Sequence, residues 1–244
     1  MPRPIIRFAA GLLALLALAA PALALDTWEP YPRGAATLEV YATRWGQGND
    51  LDAAKGWRAD LLSAWGLDPR THAWLAVGLT TDDGLEGGAD FLGAGVFRTL
   101  RDGPFKLDVF AQLAAVGPGL AAASRQAGLE INVDEEGWGV YTRPIWEWTR
   151  DEAAGGGVVA RRLVWANGLM IQLRPDTQFL VEWAHESRDG WRSVDNESRS
   201  LYWAAGLNRV VTEDLEVIME ARRWEPEDGE DPAWDFTIGA VAVW

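Results

Sequence analysis

The chain has 244 residues, no cysteine, and 36 acidic against 22 basic residues, for a formal net charge of −14. Without thiols it has no disulfide to lean on. The acidic excess excludes nucleic acid as a partner, since phosphate neutralisation needs clustered Lys and Arg, and it argues against docking on anionic lipid through a basic patch.

The first segment, "MPRPIIRFAAGLLALLALAAPALAL", places Arg3 and Arg7 before an apolar run from Phe8 to Ala20 and then Ala22-Leu23-Ala24. This is the pattern of a secretory signal peptide over residues 1–24. The apolar run is shorter than the ~20 residues of a spanning helix. A single exported domain over 25–244 is expected to follow. It is unusually rich in aromatics for a soluble protein, since the chain carries 15 Trp and 26 Gly at a mean hydropathy of −0.10. Trp is favoured where an apolar body meets a polar boundary.

From residue 35 onward the dominant period is two. "TLEVYATRW" alternates Leu38, Val40 and Ala42 with Glu39, Tyr41 and Thr43. "GWRADLLSAW" sets Trp57, Ala59, Leu61 and Trp65 against Arg58 and Asp60, and "HAWLAVGL" continues with Ala73, Leu75, Val77 and Leu79. "FKLDVFAQLAA", "QAGLEINV", "QFLVEWAHES" and "DLEVIMEARRW" repeat the scheme. Short Asp-, Pro- and Gly-containing turns ("LDPRT", "RDGP", "DEEG", "RPDT", "VTED") alternate with longer polar segments such as "GQGNDLDAAKG" and "HESRDGWRSVDNES". About twelve strands result, from near Ala35 to Trp244. The fourth, around Phe91 to Phe97, and the eighth, "VVARRLVWANGLMIQL", have the least regular patterns, and a bulge is expected in the eighth.

An even strand count with short turns at one end and long loops at the other predicts an all-β fold, a transmembrane antiparallel β-barrel with short periplasmic turns and longer extracellular loops. Lipid offers the backbone no hydrogen-bond partner, so such a sheet must close on itself. Trp45, Trp57, Trp65, Trp138, Trp148, Trp224, Trp234 and Trp244 fall at strand ends, as two aromatic girdles require. A soluble β-sandwich or lipocalin-like barrel is the competing architecture, but a soluble barrel of twelve strands would enclose a cavity these side chains could not fill.

The leader, the girdles, the turn–loop asymmetry and the last strand together resemble Gram-negative outer-membrane β-barrel proteins over essentially the whole mature length. The resemblance implies residence in the cell outer membrane among its lipids. It also implies that "FTIGAVAVW", with Phe236, Ile238 and a terminal Trp244, acts as the assembly signal read by the barrel-insertion machinery.

Strand parity then nominates a lumen lined by Glu39, Asp60, Asp108, Glu130, Glu147, Glu182, Glu186, Glu216, Glu220 and Asp235, opposed by Arg58, Arg98, Lys106, Arg143 and Arg222. Two readings follow. One is a narrow channel or transport barrel whose acid excess favours cations; the other is a structural surface barrel with a self-paired interior.

His185 and Ser187 in "FLVEWAHESRDG" share the lipid-facing side of their strand. This stretch resembles the His-x-Ser-Asn-Gly segment of outer-membrane phospholipase A, which implies a dyad in which imidazole takes the serine proton for attack on an acyl ester. Here Arg188-Asp189-Gly190 stands in place of the Asn-Gly step, and Asn196 falls inside the following loop. His72 reads as a surface residue of the periplasmic rim. Neither histidine has a second His or Cys at metal-ligand spacing, and no cofactor motif is present. The acidic loops "GNDLD" and "EPEDGEDP" could hold divalent cations loosely.

Overall fold

The computed structural model describes residues 34–47, 55–82, 87–151, 158–188, 199–226 and 232–244. The expected signal peptide lies outside them, as do Asn196 and most of the two acidic loop segments. Twelve strands follow in order: β1 (Ala36–Gln47), β2 (Lys55–Asp68), β3 (Thr71–Asp82), β4 (Gly88–Arg101), β5 (Phe105–Val116), β6 (Ala122–Glu135), β7 (Trp138–Asp151), β8 (Val158–Arg174), β9 (Thr177–Arg188), β10 (Arg199–Thr212), β11 (Leu215–Pro226) and β12 (Ala233–Val243). Each pairs antiparallel with its chain neighbours, and β12 returns to β1, so the sheet is a closed barrel. The connections at one end span two or three residues and those at the other five to ten. We call these the turn end and the loop end.

Closure is a backbone requirement. An open edge would leave a row of N–H and C=O groups facing lipid, at several kcal/mol each. Here the β1–β12 seam is paired from Thr37↔Val243 to Gln47↔Ala233. It is extended by Ala36 N–H to the Trp244 carbonyl (2.9 Å) and Trp244 N–H to the Ala36 carbonyl (3.0 Å). Inside the seam the ring of Tyr41 lies flat across Gly239, where a Cβ would collide with it. Tyr141 covers Gly168 in the same way between β7 and β8. An aromatic over a strand glycine restores the packing that the missing side chain forfeits.

The two faces of the sheet separate by parity. Leu61, Leu75, Leu79, Leu92, Leu113, Met219, Phe236 and Ile238 are exposed on the outer face. Apolar exposure around the whole circumference exceeds any patch a soluble monomer carries, and identifies a membrane barrel. Trp138 and Trp148 sit ten residues apart at opposite ends of β7, both exposed. At about 3.3 Å per residue and a tilt of about 40°, that spans about 25 Å, the height of the apolar band. Trp57, Trp65 and Trp244 are also exposed on the outer face.

Two expected girdle residues do not belong to it. Trp45 pairs with Asp235 and Trp224 with Tyr202, on the inner face. Position at a strand end sets height, and parity sets the face. Trp165, Trp183 and Trp203, nearer mid-strand, supply exposed outer-face indoles instead.

The eighth strand is regular through 17 residues, and its register against β9 shifts only between Gln172 and Arg174, at the turn. Its mixed pattern has another cause: Val164, Ala166 and Met170 are apolar and face inward. The marked bulge is in β4 instead, where the register against β3 shifts between Gly78 and Leu79, so that Asp90 and Phe91 both oppose Gly78.

If the seam depends on the Tyr41 ring over Gly239, Gly239→Val will lower the yield of folded, heat-modifiable barrel on a gel. Gly88→Ala, with open space around its Cβ, will fold as the parent does. Equal yields for Gly239→Val and the parent would show that the ring contact is dispensable.

Candidate functional site

The barrel interior holds the charged side chains, in two zones. Toward the loop end the groups are partly open. Arg58 Nε donates to Asp60 Oδ1 at 2.8 Å, and Arg58 Nη1 lies 3.5 Å from Asp90 Oδ2. Thr80 Oγ1 donates to the same Asp90 oxygen at 2.5 Å. Across the barrel, Arg162 lies between Glu186 (3.0 Å) and Glu147 (3.7 Å), and Ser124 Oγ donates to Glu147 at 2.7 Å. Arg222 Nη2 pairs with Glu220 at 2.8 Å, with its guanidinium over the rings of Tyr202 and Trp224. Cation–π contact suits the planar, weakly hydrated guanidinium better than an ammonium.

Toward the turn end the interior is packed. Glu130 is 0% exposed, accepts from Arg143 Nε at 2.5 Å and from Asn132 Nδ2 at 2.7 Å. Lys106 Nζ lies 3.7 Å from Asp108, which is also buried. The hydroxyls of Tyr141 and Tyr202 both donate to Glu182. Arg143 covers the Tyr141 ring at 4.9 Å, linking the two groups. Thr37, Phe97, Asn208 and Glu216, from strands around the ring, are buried at this end. The arrangement is a partly open vestibule narrowed by a closely packed layer at the turn end.

Between the zones one arc of the wall is apolar: Val164, Ala166, Ala184, Tyr202 and Ala204 form a cluster, backed by Ile145 and Trp224. The lumen is therefore not polar all round, as alternation alone suggests.

Of the nominated lumen residues, Glu39, Arg58, Asp60, Lys106, Asp108, Glu130, Arg143, Glu147, Glu182, Glu186, Glu216, Glu220, Arg222 and Asp235 lie on the inner face. Arg98 does not. Phe97 and Thr99 point inward and are buried, which leaves Arg98 exposed on the outer face beside Val109. The weak alternation of β4 concealed that parity. Asp90 was missed for the complementary reason, since only the bulge turns it inward. Arg162 was missed because β8 has no clean polar face.

His72 is not at the surface. It is buried on the inner side, stacked on Phe97 with ring centroids 4.7 Å apart. His185 is exposed on the outer face between Trp165 and Leu201, and the backbone of Ser187 pairs with Leu163 and Arg199. Among the described residues no group of three His, Cys, Asp or Glu is placed to hold a metal ion.

No family model matches the sequence, and no curated protein is recognisably similar to it. Solved structures do share its fold. The NanC porin aligns with a TM-score of 0.65 at 12% identity, over 84% of this chain and 98% of its own. An outer membrane channel from Pseudomonas putida F1 aligns at 0.65 and 17% identity, over 91% and 100%. The KdgM porin in complex with disordered oligogalacturonate aligns at 0.58 and 8% identity, over 84% and 98%. The chain thus has the fold of Gram-negative outer-membrane β-barrels.

Breaking one buried pair while leaving its partner charged will be costly. Arg143→Met, which strands Glu130, will lower stability to denaturant in detergent by about 3–5 kcal/mol. Arg143→Met combined with Glu130→Gln will recover most of that loss. If the single and double variants unfold at the same denaturant concentration, the ion pair is not what holds this layer.

Proposed function

We propose that the protein is a narrow outer-membrane channel whose interior favours cations. The observation that carries this reading is the sign of the inner wall. Arg58, Lys106, Arg143, Arg162 and Arg222 each face at least one carboxylate, and Glu39, Asp235 and Glu216 add further negative charge. Rings of one sign set the selectivity of a pore, and low-dielectric walls focus that potential. The packed layer at the turn end limits the passage, so permeant species are small. An oligogalacturonate is a polyanion, which this wall would repel, so that cargo does not transfer to this chain.

Reconstituted in a planar bilayer, the protein will give small stepwise currents with cation preference, and Arg143→Ala will raise that preference by removing a cation beside Glu130. Anion selectivity would overturn the lumen assignment. A complete absence of current would favour the second reading, a rigid barrel whose self-paired interior is structural.

We also infer that the last strand directs assembly. Phe236, Ile238 and Trp244 are exposed on the outer face of β12, the strand that must find β1. Deleting Trp244 removes both seam hydrogen bonds to Ala36 and will reduce inserted barrel without reducing export, as read by cell fractionation. Undiminished insertion would count against that role.

A further inference from the structure

The outer wall between β4 and β7 is not smooth. Ala94, Ala111 and Ala127 leave a groove of about 870 Å³ bordered by Val96, Leu113 and Trp148. Arg125 lines its loop-end side. Arg125 on β6 pairs directly with Trp148 on β7, and Trp148 pairs directly with Arg161 on β8. All three side chains are exposed on the same outward face, on adjacent strands of one row. Arg150 projects from that face two residues further toward the loops. Neither Arg125 nor Arg161 has an acidic partner among the described residues, unlike the arginines of the interior.

Trp148 marks the boundary of the apolar band, so guanidiniums on the strands to either side of it reach the headgroup region, and the groove runs from Arg125 across β5 toward β4. We propose that this is a binding site for an acylated, phosphate-bearing glycolipid of the loop-side leaflet. One acyl chain lies in the alanine-floored groove, and the sugar rests against the Trp148 indole. Phosphates are held by Arg125 and Arg161. Strands are about 4.8 Å apart, so the two arginine positions are separated by about 10 Å across Trp148. That spacing admits two phosphates on one disaccharide better than the single phosphate of a glycerolipid. Arginine binds phosphate through two parallel N–H bonds, and a flat sugar face packs on an indole. The net charge of −14 argued against lipid docking through a basic patch. The outer wall nevertheless presents Arg125 and Arg161 on one face to either side of Trp148.

The test uses the full chain purified in detergent, with native mass spectrometry against three lipids at equal concentration: a bis-phosphorylated lipid A, dioleoyl phosphatidic acid and dioleoyl phosphatidylcholine. The bis-phosphorylated glycolipid should be retained at least about tenfold more tightly than either glycerolipid, each lost phosphate contact being a charge-assisted pair. Arg125→Ala with Arg161→Ala should abolish that preference, and Arg125→Lys with Arg161→Lys should restore part of it. Ala111→Leu, which fills the groove and leaves the charges, should weaken retention of the glycolipid. Heat-modifiable mobility confirms that each variant is folded. Equal retention of all three lipids would overturn the proposal in favour of ordinary boundary lipid. Tighter retention of phosphatidic acid than of the glycolipid would overturn the choice of ligand, and an unchanged double-alanine variant would overturn the site. None of these outcomes bears on conductance, which tests the channel reading separately.

Discussion

Everything in this structure depends on one constraint: backbone N–H and C=O groups that face lipid have no solvent to fall back on. For strands, only a closed ring of ladders meets it. The pairing of β1 with β12 through to Ala36 and Trp244 is therefore the contact on which all eleven other pairings depend. It forces consecutive strands to be antiparallel neighbours, puts both strand termini at the turn end, and leaves the pleat to sort side chains into two environments. The glycines beneath Tyr41 and Tyr141 belong to the same requirement, since they let rings lie against the wall without spreading the ladder.

Closure also reverses the usual sense of inside and outside. The apolar residues look out to lipid, and the polar ones are confined to a space that is closely packed at the turn end. A carboxylate there must be paired, because an unpaired buried charge costs far more than the pair gains. Glu130 with Arg143 and Asn132, and Glu182 with two tyrosine hydroxyls, meet that demand. Toward the loop end, where Arg58 and Arg162 are partly exposed, the same charges are solvated and face an aqueous space. The interior thus combines a packed layer with a partly open zone.

Net charge proved a poor guide to local charge. Potentials act over about a Debye length, ~8–10 Å at physiological ionic strength, so an acidic protein can still present a basic row on one part of its wall. Arg125, Trp148 and Arg161 are distant in sequence and adjacent only through the β6–β7–β8 register. No composition statistic contains that row.

What the sequence determined by itself was the architecture: strand number, alternation, the turn–loop asymmetry and the belt of aromatics. Each is a local property, legible because the pleat has a period of two whatever the strand packs against. The inward set from Glu39 to Asp235 was legible for the same reason wherever alternation was clean. The tertiary structure decided whatever required register or a break in parity. The β4 bulge turned Asp90 inward, and the true phase of that strand put Arg98 outside. Facing strands buried His72 against Phe97 and brought Trp45 and Trp224 into the lumen. A one-residue change of phase moves a side chain from lipid to lumen. Where the pattern is weak, only the hydrogen bonds to neighbouring strands fix which side of the wall it occupies.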